Sequence, residues 1–445
     1  MLTEKGNNMQ VLHKNIKNVI TAWLLQTSVP WFALYAMSAA FLTYFSMYAF
    51  RKPFTVGQYE GISWLDMDFK VVLILSQVIG YMLSKFIGIK VISEMLHKRR
   101  ALAIVALVAC AELALLLFAV VPEPIKPVAI FFNGLPLGMI WGLVFSFLEG
   151  RRTSELLGAG LSATFIIASG MVRSVGGSML VYWHVDPFWM PVLTGLIFMP
   201  LLLIAVYALS MLPEPNQKDI EARTLRVPMT SKDRWQMLSK YWFGLACMVI
   251  AFLMFTALRD FRDNFSTEIW TSLGYGSSPE IFTYAGIRIA AIVLVVMAFL
   301  ILIRNNFVAF SANHIVIISG ALVMALSTYW FQHDVISGKI WMIALGAGLY
   351  MAYIPFNCFL YDRMLAVTGK PGNAGFLIYI SDSAGYVGSV GLLLIKYFSA
   401  PDLSWILFLQ SAVYVAALLG GTLMIASWVF FKFNLQRDSG VPVAV

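Results

Sequence analysis

Five charged side chains lie within long apolar stretches of the sequence, where an isolated charge is costly. They are Lys85, Glu112, Arg173, Arg288 and Asp382. An ionised side chain at bilayer depth costs about 2.5 to 3.5 kcal/mol even on lenient insertion scales, so each must face protein or a water-filled cavity. Cations outnumber carboxylates in this set. An excess of buried cations is suited to binding an anion.

Three further cations, Arg51, Lys52 and Arg259, lie at the ends of apolar stretches. Tyr44, Tyr48 and Arg51 are spaced by four and three residues, so a helix would carry two hydroxyls and a guanidinium on one face. Arginine can hold a phosphate or carboxylate through two parallel hydrogen bonds. The alternative is that each end-of-helix cation extends to the membrane interface and binds no substrate.

Two interpretations remain open for the interior acids. Asp382 either belongs to a structural ion pair, with Arg288 as one candidate, or titrates during transport while held near Lys85 or Arg288. Glu112 lies in the third apolar stretch, which is peripheral in a bundle of two halves. We therefore expect a structural role for Glu112.

The composition identifies lipid as the solvent. Of 445 residues, 60% are hydrophobic and 12% charged, and the mean hydropathy is +0.79. The net charge of +8 comes from loops and not from a polar domain, which argues against nucleic acid as a partner. Cys110, Cys247 and Cys358 lie in apolar stretches without CxxC spacing, so neither a disulfide nor a metal site is predicted. We expect no cofactor and a monomer in the bilayer.

The apolar stretches are long enough for membrane-spanning helices, which need roughly 20 residues each. The sequence predicts an all-α integral membrane protein with twelve spans in two six-helix halves. The predicted spans are 32–50, 70–92, 101–121, 125–148, 155–183, 187–212, 240–259, 280–303, 308–331, 338–361, 373–398 and 403–431. The predicted domains are an N-terminal segment 1–31 with an interfacial helix before Pro30, a first half 32–212, a linker 213–239, a second half 240–431 and a tail 432–445.

Basic residues predict the orientation. The clusters Lys98–Arg100 and Arg151–Arg152 and the basic residues of the linker fall on the same side as both termini. The positive-inside rule makes that side cytoplasmic. We expect a bacterial cytoplasmic (inner) membrane protein. Two halves with equal helix counts are typical of a secondary transporter whose halves rock about a central site.

Enzyme and pump signatures are missing from the sequence. The spans contain no HExxH, no GxSxG and no paired carboxylates for acid–base catalysis, and the chain has no ATP-binding glycine loop. We therefore expect a protein that is not an enzyme and that does not pump with ATP.

Three segments resemble the organophosphate:phosphate antiporter branch of the major facilitator superfamily, the group of glycerol-3-phosphate and hexose-phosphate transporters. Tyr44–Phe54 resembles the family's Tyr, Tyr, Arg-Lys-x-Phe signature, and Tyr81–Ile87 resembles its Tyr-x-x-Ser-Lys-Phe-Ile segment. Ala257–Arg259 lies where the family has its second phosphate-binding arginine. Arg173 replaces a family histidine, so a role linked to protonation is lost there and anion binding is strengthened.

The resemblance implies the major facilitator fold and a phosphate clamp formed by one arginine from each half. The residues assigned to substrate on these grounds are Arg51, Arg259, Lys85, Arg173, Tyr44, Tyr48, Lys52 and Arg288, with Asp382 as a proton-coupling or ion-pair residue. The expected function is exchange of a phosphorylated or other anionic organic solute, with inorganic phosphate as the counter-substrate. Two alternatives are a proton-coupled symporter of an organic anion and a membrane sensor that binds an anion without transporting it.

Overall fold

The structure is a computed structural model that describes residues 19–64, 67–149, 151, 153–215, 231–368 and 374–439. Within these ranges, twelve helices are long and apolar enough to cross a membrane. Six precede residue 216 and six follow residue 230, so the predicted number of spans in each half is confirmed. The chain is an integral, multi-pass membrane protein.

Spans are numbered 1 to 12 in chain order. Spans 1 to 6 comprise Val29–Met47, Phe69–Glu94, His97–Val120, the pair Lys126–Leu137 and Ile140–Leu148, the pair Ser154–Ser162 and Thr164–Val181, and Met190–Ser210. Spans 7 to 12 are Ser231–Asn264, Glu280–Ile301, Asn306–Gln332, Gly338–Cys358, Ala374–Ser399 and Trp405–Ser439. The short elements between them are the 3-10 turns Tyr48–Phe50, Pro53–Val56 and Glu123–Ile125, the antiparallel strands Ser63–Trp64 and Met67–Asp68, and the helices Ser266–Ser272 and Leu360–Thr368.

The two ends of the bundle are named from their connections. The hairpin end carries the strands Ser63–Trp64 and Met67–Asp68, and the linker end carries residues 211–215 and the start of span 7. Odd-numbered spans run from the linker end to the hairpin end, and even-numbered spans run back. The halves contact each other along spans 2 and 11 and along spans 5 and 8.

The N-terminal boundary differs from the prediction. Residues 19–26 are helical, whereas residues 11–18 of the predicted interfacial helix lie outside the described residues. Span 1 begins at Val29, and Pro30 lies in its first turn instead of separating two helices. Proline is tolerated there because the first N–H groups of a helix have no intrahelical acceptor.

Span 7 extends beyond both predicted ends. It begins at Ser231, within the predicted linker, and continues to Asn264, with a kink at Tyr241. In the sequence, the charges of residues 259–263 suggest that the helix ends at the membrane surface. In the structure they do not end the helix, because most of them are partnered inside the protein. Span 12 likewise continues to Ser439, into the predicted tail.

Glycines allow spans 2 and 4 to pack with their backbones nearly in contact. A Cβ atom on Gly134 would overlap the carbonyl of Gln77, and one on Gly138 would lie 2.6 Å from the carbonyl oxygen of Tyr81. Small residues are enriched where membrane helices approach closely. These glycines therefore allow the close packing that holds Tyr81 of span 2 against span 4.

Candidate functional site

A cavity between the two halves is lined mainly by polar and aromatic side chains. Six tyrosines contribute to its wall: Tyr44, Tyr48, Tyr81, Tyr350, Tyr353 and Tyr386. Four cations and three carboxylates also line it: Arg51, Lys52, Lys85, Arg259, Asp260, Asp263 and Asp382. The structure thus brings most of the sequence-predicted substrate residues to one place.

Arg51 lies where span 1 stops being an α-helix. The α-helix ends at Met47, a 3-10 turn follows, and Pro53 prevents the helix from continuing. The carbonyl of Arg51 accepts a hydrogen bond from Gln77 Nε2 at 2.9 Å, which holds this irregular backbone in place. The guanidinium lies over the ring of Tyr81, with Cζ 3.9 Å from the centroid. Tyr44 and Tyr48 share the same wall, with ring centroids 5.6 Å apart.

Arg51 has unused hydrogen-bonding capacity. Its Nε is buried and has no hydrogen-bond partner among the described residues. The ion pairs of the described residues do not include Arg51. A buried donor without an acceptor is uncommon in native proteins and calls for an explanation such as a ligand.

Arg259, the corresponding cation of the second half, already has a carboxylate partner. Its Nε and Nη2 donate to Oδ1 of Asp260 at 3.0 and 2.7 Å. Oδ2 of Asp260 accepts from Ser389 at 2.8 Å, and the Arg259 guanidinium lies 4.0 Å from the ring centroid of Tyr353. The two arginines of the expected clamp are therefore not equivalent, because only Arg51 lacks a carboxylate partner.

On the hairpin side of the cavity, Asp263 joins cations from the other half. Lys52 Nζ lies 3.0 Å from Asp263 Oδ2 and donates to Asn264 at 2.8 Å. Arg173 Nη2 lies 2.6 Å from the same carboxylate oxygen, and its Nη1 donates to Ser266 at 3.0 Å. Arg173 thus contributes to a contact between the halves beside the cavity and does not itself line the wall.

Two further contacts join the halves toward the hairpin end. Lys70 forms an ion pair with Glu268. Ser174 donates to the carbonyl of Pro279 at 2.7 Å and shares a 2.7 Å hydrogen bond with Thr283. Sequence reasoning did not predict these residues, since Lys70 lies at the start of span 2 and Glu268 lies beyond the end of span 7, where charges usually face water.

On the linker side of the cavity, Lys85 of span 2 pairs with Asp382 of span 11 at 3.3 Å. Ser162 and Cys358 form a second contact between the halves, with Oγ and Sγ 3.1 Å apart. Of the two partners considered for Asp382, the structure selects Lys85. Bonds between the halves therefore lie on both sides of the cavity.

Arg288 is the predicted substrate residue that the structure places elsewhere. Its side chain is exposed and does not line the cavity. Its Nη1 donates to the carbonyl of Tyr284 one turn earlier, and Cζ lies 3.3 Å from the centroid of that ring. The assignment of Arg288 to the substrate site is corrected: it occupies the outer face of span 8, because a long side chain can fold back along its own helix.

Trp141 and Asn357 line the cavity but were not predicted. Trp141 Nε1 and Asn357 Nδ2 are both buried donors without a partner among the described residues. Tyr350 and Tyr353 are three positions apart, a helical spacing that could have indicated a second helix face carrying two tyrosines. Nothing in the sequence alone distinguishes Trp141 from the other aromatic residues that pack in the bundle.

The cavity and its flanking ion pairs contain more positive than negative charge. Five cations are present, Arg51, Lys52, Lys85, Arg173 and Arg259, against three carboxylates, Asp260, Asp263 and Asp382. The excess is two positive charges, because Arg51 has no carboxylate partner and Lys52 and Arg173 share Asp263. Such a site can accept an anion with a favourable electrostatic contribution, which is larger in a water-poor interior than at a surface.

Comparisons with solved structures identify the fold. The D-xylose–proton symporter aligns with a TM-score of 0.63 at 13% identity, covering 91% of this chain and 98% of that one. A mutant of the nucleoside transporter NupG aligns with a TM-score of 0.56 at 14% identity, covering 90% of this chain and 100% of that one. The predicted major facilitator fold is thereby confirmed.

Comparisons at the sequence level give a narrower result. No curated protein matches the chain. A family described as being of unknown function, DUF5690, matches residues 53–434, which is more than half of the chain. The chain belongs to the DUF5690 family.

Proposed function

We propose that this protein is a secondary active transporter, not an enzyme, that moves a phosphorylated or other anionic organic solute by alternating access. The observation that carries the proposal is the excess of two positive charges in the central cavity and its flanking ion pairs, where Arg51 has no carboxylate partner and Lys52 and Arg173 share Asp263. The fold supports the same function, since the two aligned structures are a D-xylose–proton symporter and a nucleoside transporter.

The chemistry of the free cation favours phosphate or carboxylate as the recognised group. Arg51 lines the cavity, and its buried Nε has no hydrogen-bond partner among the described residues. A guanidinium fork matches two oxygens of one anion. Tyr44 and Tyr48 lie on the same wall and can donate hydroxyl hydrogens to further oxygens. The resemblance of Tyr44–Phe54 to the organophosphate:phosphate antiporters supports phosphate and an exchange mechanism with inorganic phosphate.

The bonds between the halves support alternating access. Lys52–Asp263 and Arg173–Asp263 lie on the hairpin side of the cavity, and Lys85–Asp382 lies on the linker side. Opening the cavity to one side of the membrane requires the bonds on that side to break while the others hold. We propose that these two groups of ion pairs form and break in turn.

The test is exchange in liposomes. Purified protein is reconstituted in vesicles loaded with inorganic phosphate, and uptake of labelled phosphate and of labelled phosphate esters is followed. Exchange that requires internal phosphate is expected, and the Arg51→Lys variant should lose most of it. If no anion exchanges at a rate above that of protein-free vesicles, the proposal is refuted.

A proton-coupled symporter is the second candidate, favoured by the Lys85–Asp382 pair between spans 2 and 11. Asp382→Asn distinguishes the two functions. Uptake driven by a proton gradient should fail in this variant if Asp382 carries the coupling proton, whereas phosphate exchange should persist.

The proposed orientation places both termini and the linker in the cytoplasm of a bacterial inner membrane, with the hairpin end outside. Single cysteines in place of Ser63, at the hairpin end, and of Ser210, at the linker end, can be labelled in cells with a membrane-impermeant reagent after the native cysteines are removed. Labelling at position 63 and not at position 210 is expected. The opposite pattern would reverse the orientation.

A further inference from the structure

Glu112 is a buried acid that the proposed transport mechanism does not use. It lies in span 3, its side chain is 8% exposed, and both carboxyl oxygens are buried without a hydrogen-bond partner among the described residues. The ion pairs of the described residues do not include it. An ionised carboxylate in such surroundings is strongly disfavoured, so a bound proton stabilises this site.

The carboxyl group packs directly behind the segment that carries Arg51. A Cβ atom on Gly195 of span 6 would overlap Oε2 of Glu112 and lie 3.0 Å from the ring of Phe50. Glu112, Gly195 and Phe50 therefore meet at one point. Phe50 immediately precedes Arg51, the cation of the cavity that has no carboxylate partner.

Two side-chain amides tie the backbone beside Glu112 to the backbone of Arg51. Asn133 Nδ2 donates to the carbonyls of Phe50 at 2.9 Å and of Ala111 at 3.0 Å. Gln77 Nε2 donates to the carbonyl of Arg51 at 2.9 Å and to Asn133 Oδ1 at 2.8 Å. The residue before Glu112 and the residues at the end of span 1 are thus held by one buried network.

The titratable and charged side chains on the helices and the turn packed most closely against span 3 are lysine, tyrosine and arginine. Span 4 contributes Lys126, whose Nζ donates to the carbonyls of Phe118 and Ala119 at the hairpin end. Span 6 contributes Tyr207 near the linker end, and the end of span 1 contributes Tyr48 and Arg51. No carboxylate or histidine occurs in the helices Lys126–Leu137, Ile140–Leu148 and Met190–Ser210 or in the turn Tyr48–Phe50.

We propose that Glu112 is a proton-binding site coupled to the anion site at Arg51. When the cavity is empty, the uncompensated positive charge of Arg51 lowers the free-energy cost of ionising Glu112. When an anion neutralises Arg51, a Glu112 carboxylate oxygen takes up a proton from a hydronium ion of the solvent: one O–H bond of hydronium breaks, one O–H bond of the carboxyl group forms, and a water molecule is left. The reverse transfer returns the proton to water when the anion leaves. The coupling must be reciprocal, so a proton on Glu112 also strengthens anion binding.

This inference rests on the proposed anion site and adds a proton to its cycle. It differs from the symporter alternative, in which Asp382 titrates, because Asp382 is paired with Lys85 across the halves. A proton held on the first half, behind the segment that carries Arg51, would bind and leave together with the anion. A transmembrane proton gradient could then drive anion accumulation.

The test is infrared difference spectroscopy on the purified full-length protein, with inorganic phosphate as the probe and chloride as the reference. A protonated carboxylic acid has a carbonyl band separate from that of a carboxylate. The band that disappears in Glu112→Gln belongs to Glu112, and Asp382→Asn is the matched control that should leave it in place. We expect phosphate to increase this band at neutral pH, corresponding to about tenfold tighter proton binding, within the range usual for coupled sites.

Thermal stabilisation by phosphate, measured in parallel, reports whether the anion binds. If phosphate stabilises the protein but leaves the Glu112 band unchanged across pH, Glu112 is a permanently protonated structural group; the proton proposal is then overturned while the anion site stands. If phosphate neither stabilises the protein nor changes the band, both proposals fail. A band that persists in Glu112→Gln would show that another acid is responsible and would also overturn the assignment.

Discussion

Replacing Arg51 by lysine tests whether anion binding depends more on Arg51 than on Arg259, the second arginine of the cavity. Lysine keeps the positive charge but removes the planar fork and the stacking on Tyr81, where the guanidinium lies 3.9 Å from the ring centroid. In Arg259 two N–H groups already donate to Asp260. A bound anion must therefore depend more on the Arg51 fork than on that of Arg259.

The size of the effect follows from the bonds at each site. A hydrogen bond to a charged group contributes about 1.5 to 3 kcal/mol, so losing one of two bonds to a phosphate weakens binding by about 10- to 150-fold. We expect a loss in this range for Arg51→Lys. For Arg259→Lys we expect a smaller loss of affinity and a larger fall in melting temperature, since Asp260 loses its buried two-bond partner.

The assay is calorimetric titration of the purified protein with inorganic phosphate, together with thermal unfolding. Arg288→Lys is the matched control, because it makes the same chemical change on the outer face of span 8, and it should leave phosphate affinity unaltered. Equal losses in Arg51→Lys and Arg259→Lys, or a larger loss in Arg259→Lys, would show that the Asp260 pair does not limit Arg259 and would refute the reasoning.

Three further substitutions test other parts of the structure. Asp263→Asn removes the carboxylate shared by Lys52 and Arg173, and a buried pair broken in this way costs about 3 to 5 kcal/mol; the melting temperature should fall by several degrees, whereas the exposed Asp334→Asn should have no effect. Trp141→Phe removes an unpartnered N–H, so affinity for an organic phosphate should fall about 2- to 10-fold with stability retained, and unchanged affinity for every ester tested would exclude Trp141 from the site. Gly134→Ala introduces a methyl group against the carbonyl of Gln77; the yield of folded protein should drop on size-exclusion chromatography, and a normal yield would contradict the close packing of spans 2 and 4.

The fold could be predicted because lipid imposes a simple rule on the chain. Every spanning segment must satisfy its backbone hydrogen bonds internally, so helix length and apolar character identify the spans directly. The same rule predicted the wrong end for span 7, which continues to Asn264. Asp260, Arg262 and Asp263 resemble a helix end in water, but in the structure Asp260 and Asp263 are paired inside the protein and Arg262 donates to the carbonyl of Met342.

The sequence could not predict which of the interior charged side chains form ion pairs with each other. Lys85 and Asp382 are separated by 297 positions, and their pairing depends on how span 2 packs against span 11. Arg288 lies within an apolar stretch of the sequence, as Lys85 does. In the structure, the rotation of span 8 about its axis turns Arg288 outward. A rotation of a helix is set by packing against its neighbours, which the span pattern does not record.

The charges around the cavity also suggest how an anion could couple the two halves. Arg51 belongs to the first half and Arg259 to the second, and both side chains face the same cavity. Without an anion, the positive charge of Arg51 opposes a close approach of the other cations. An anion between the arginines would turn this repulsion into attraction from both halves at once. Closure would then be favoured only with substrate bound, which is the differential affinity that a transport cycle requires.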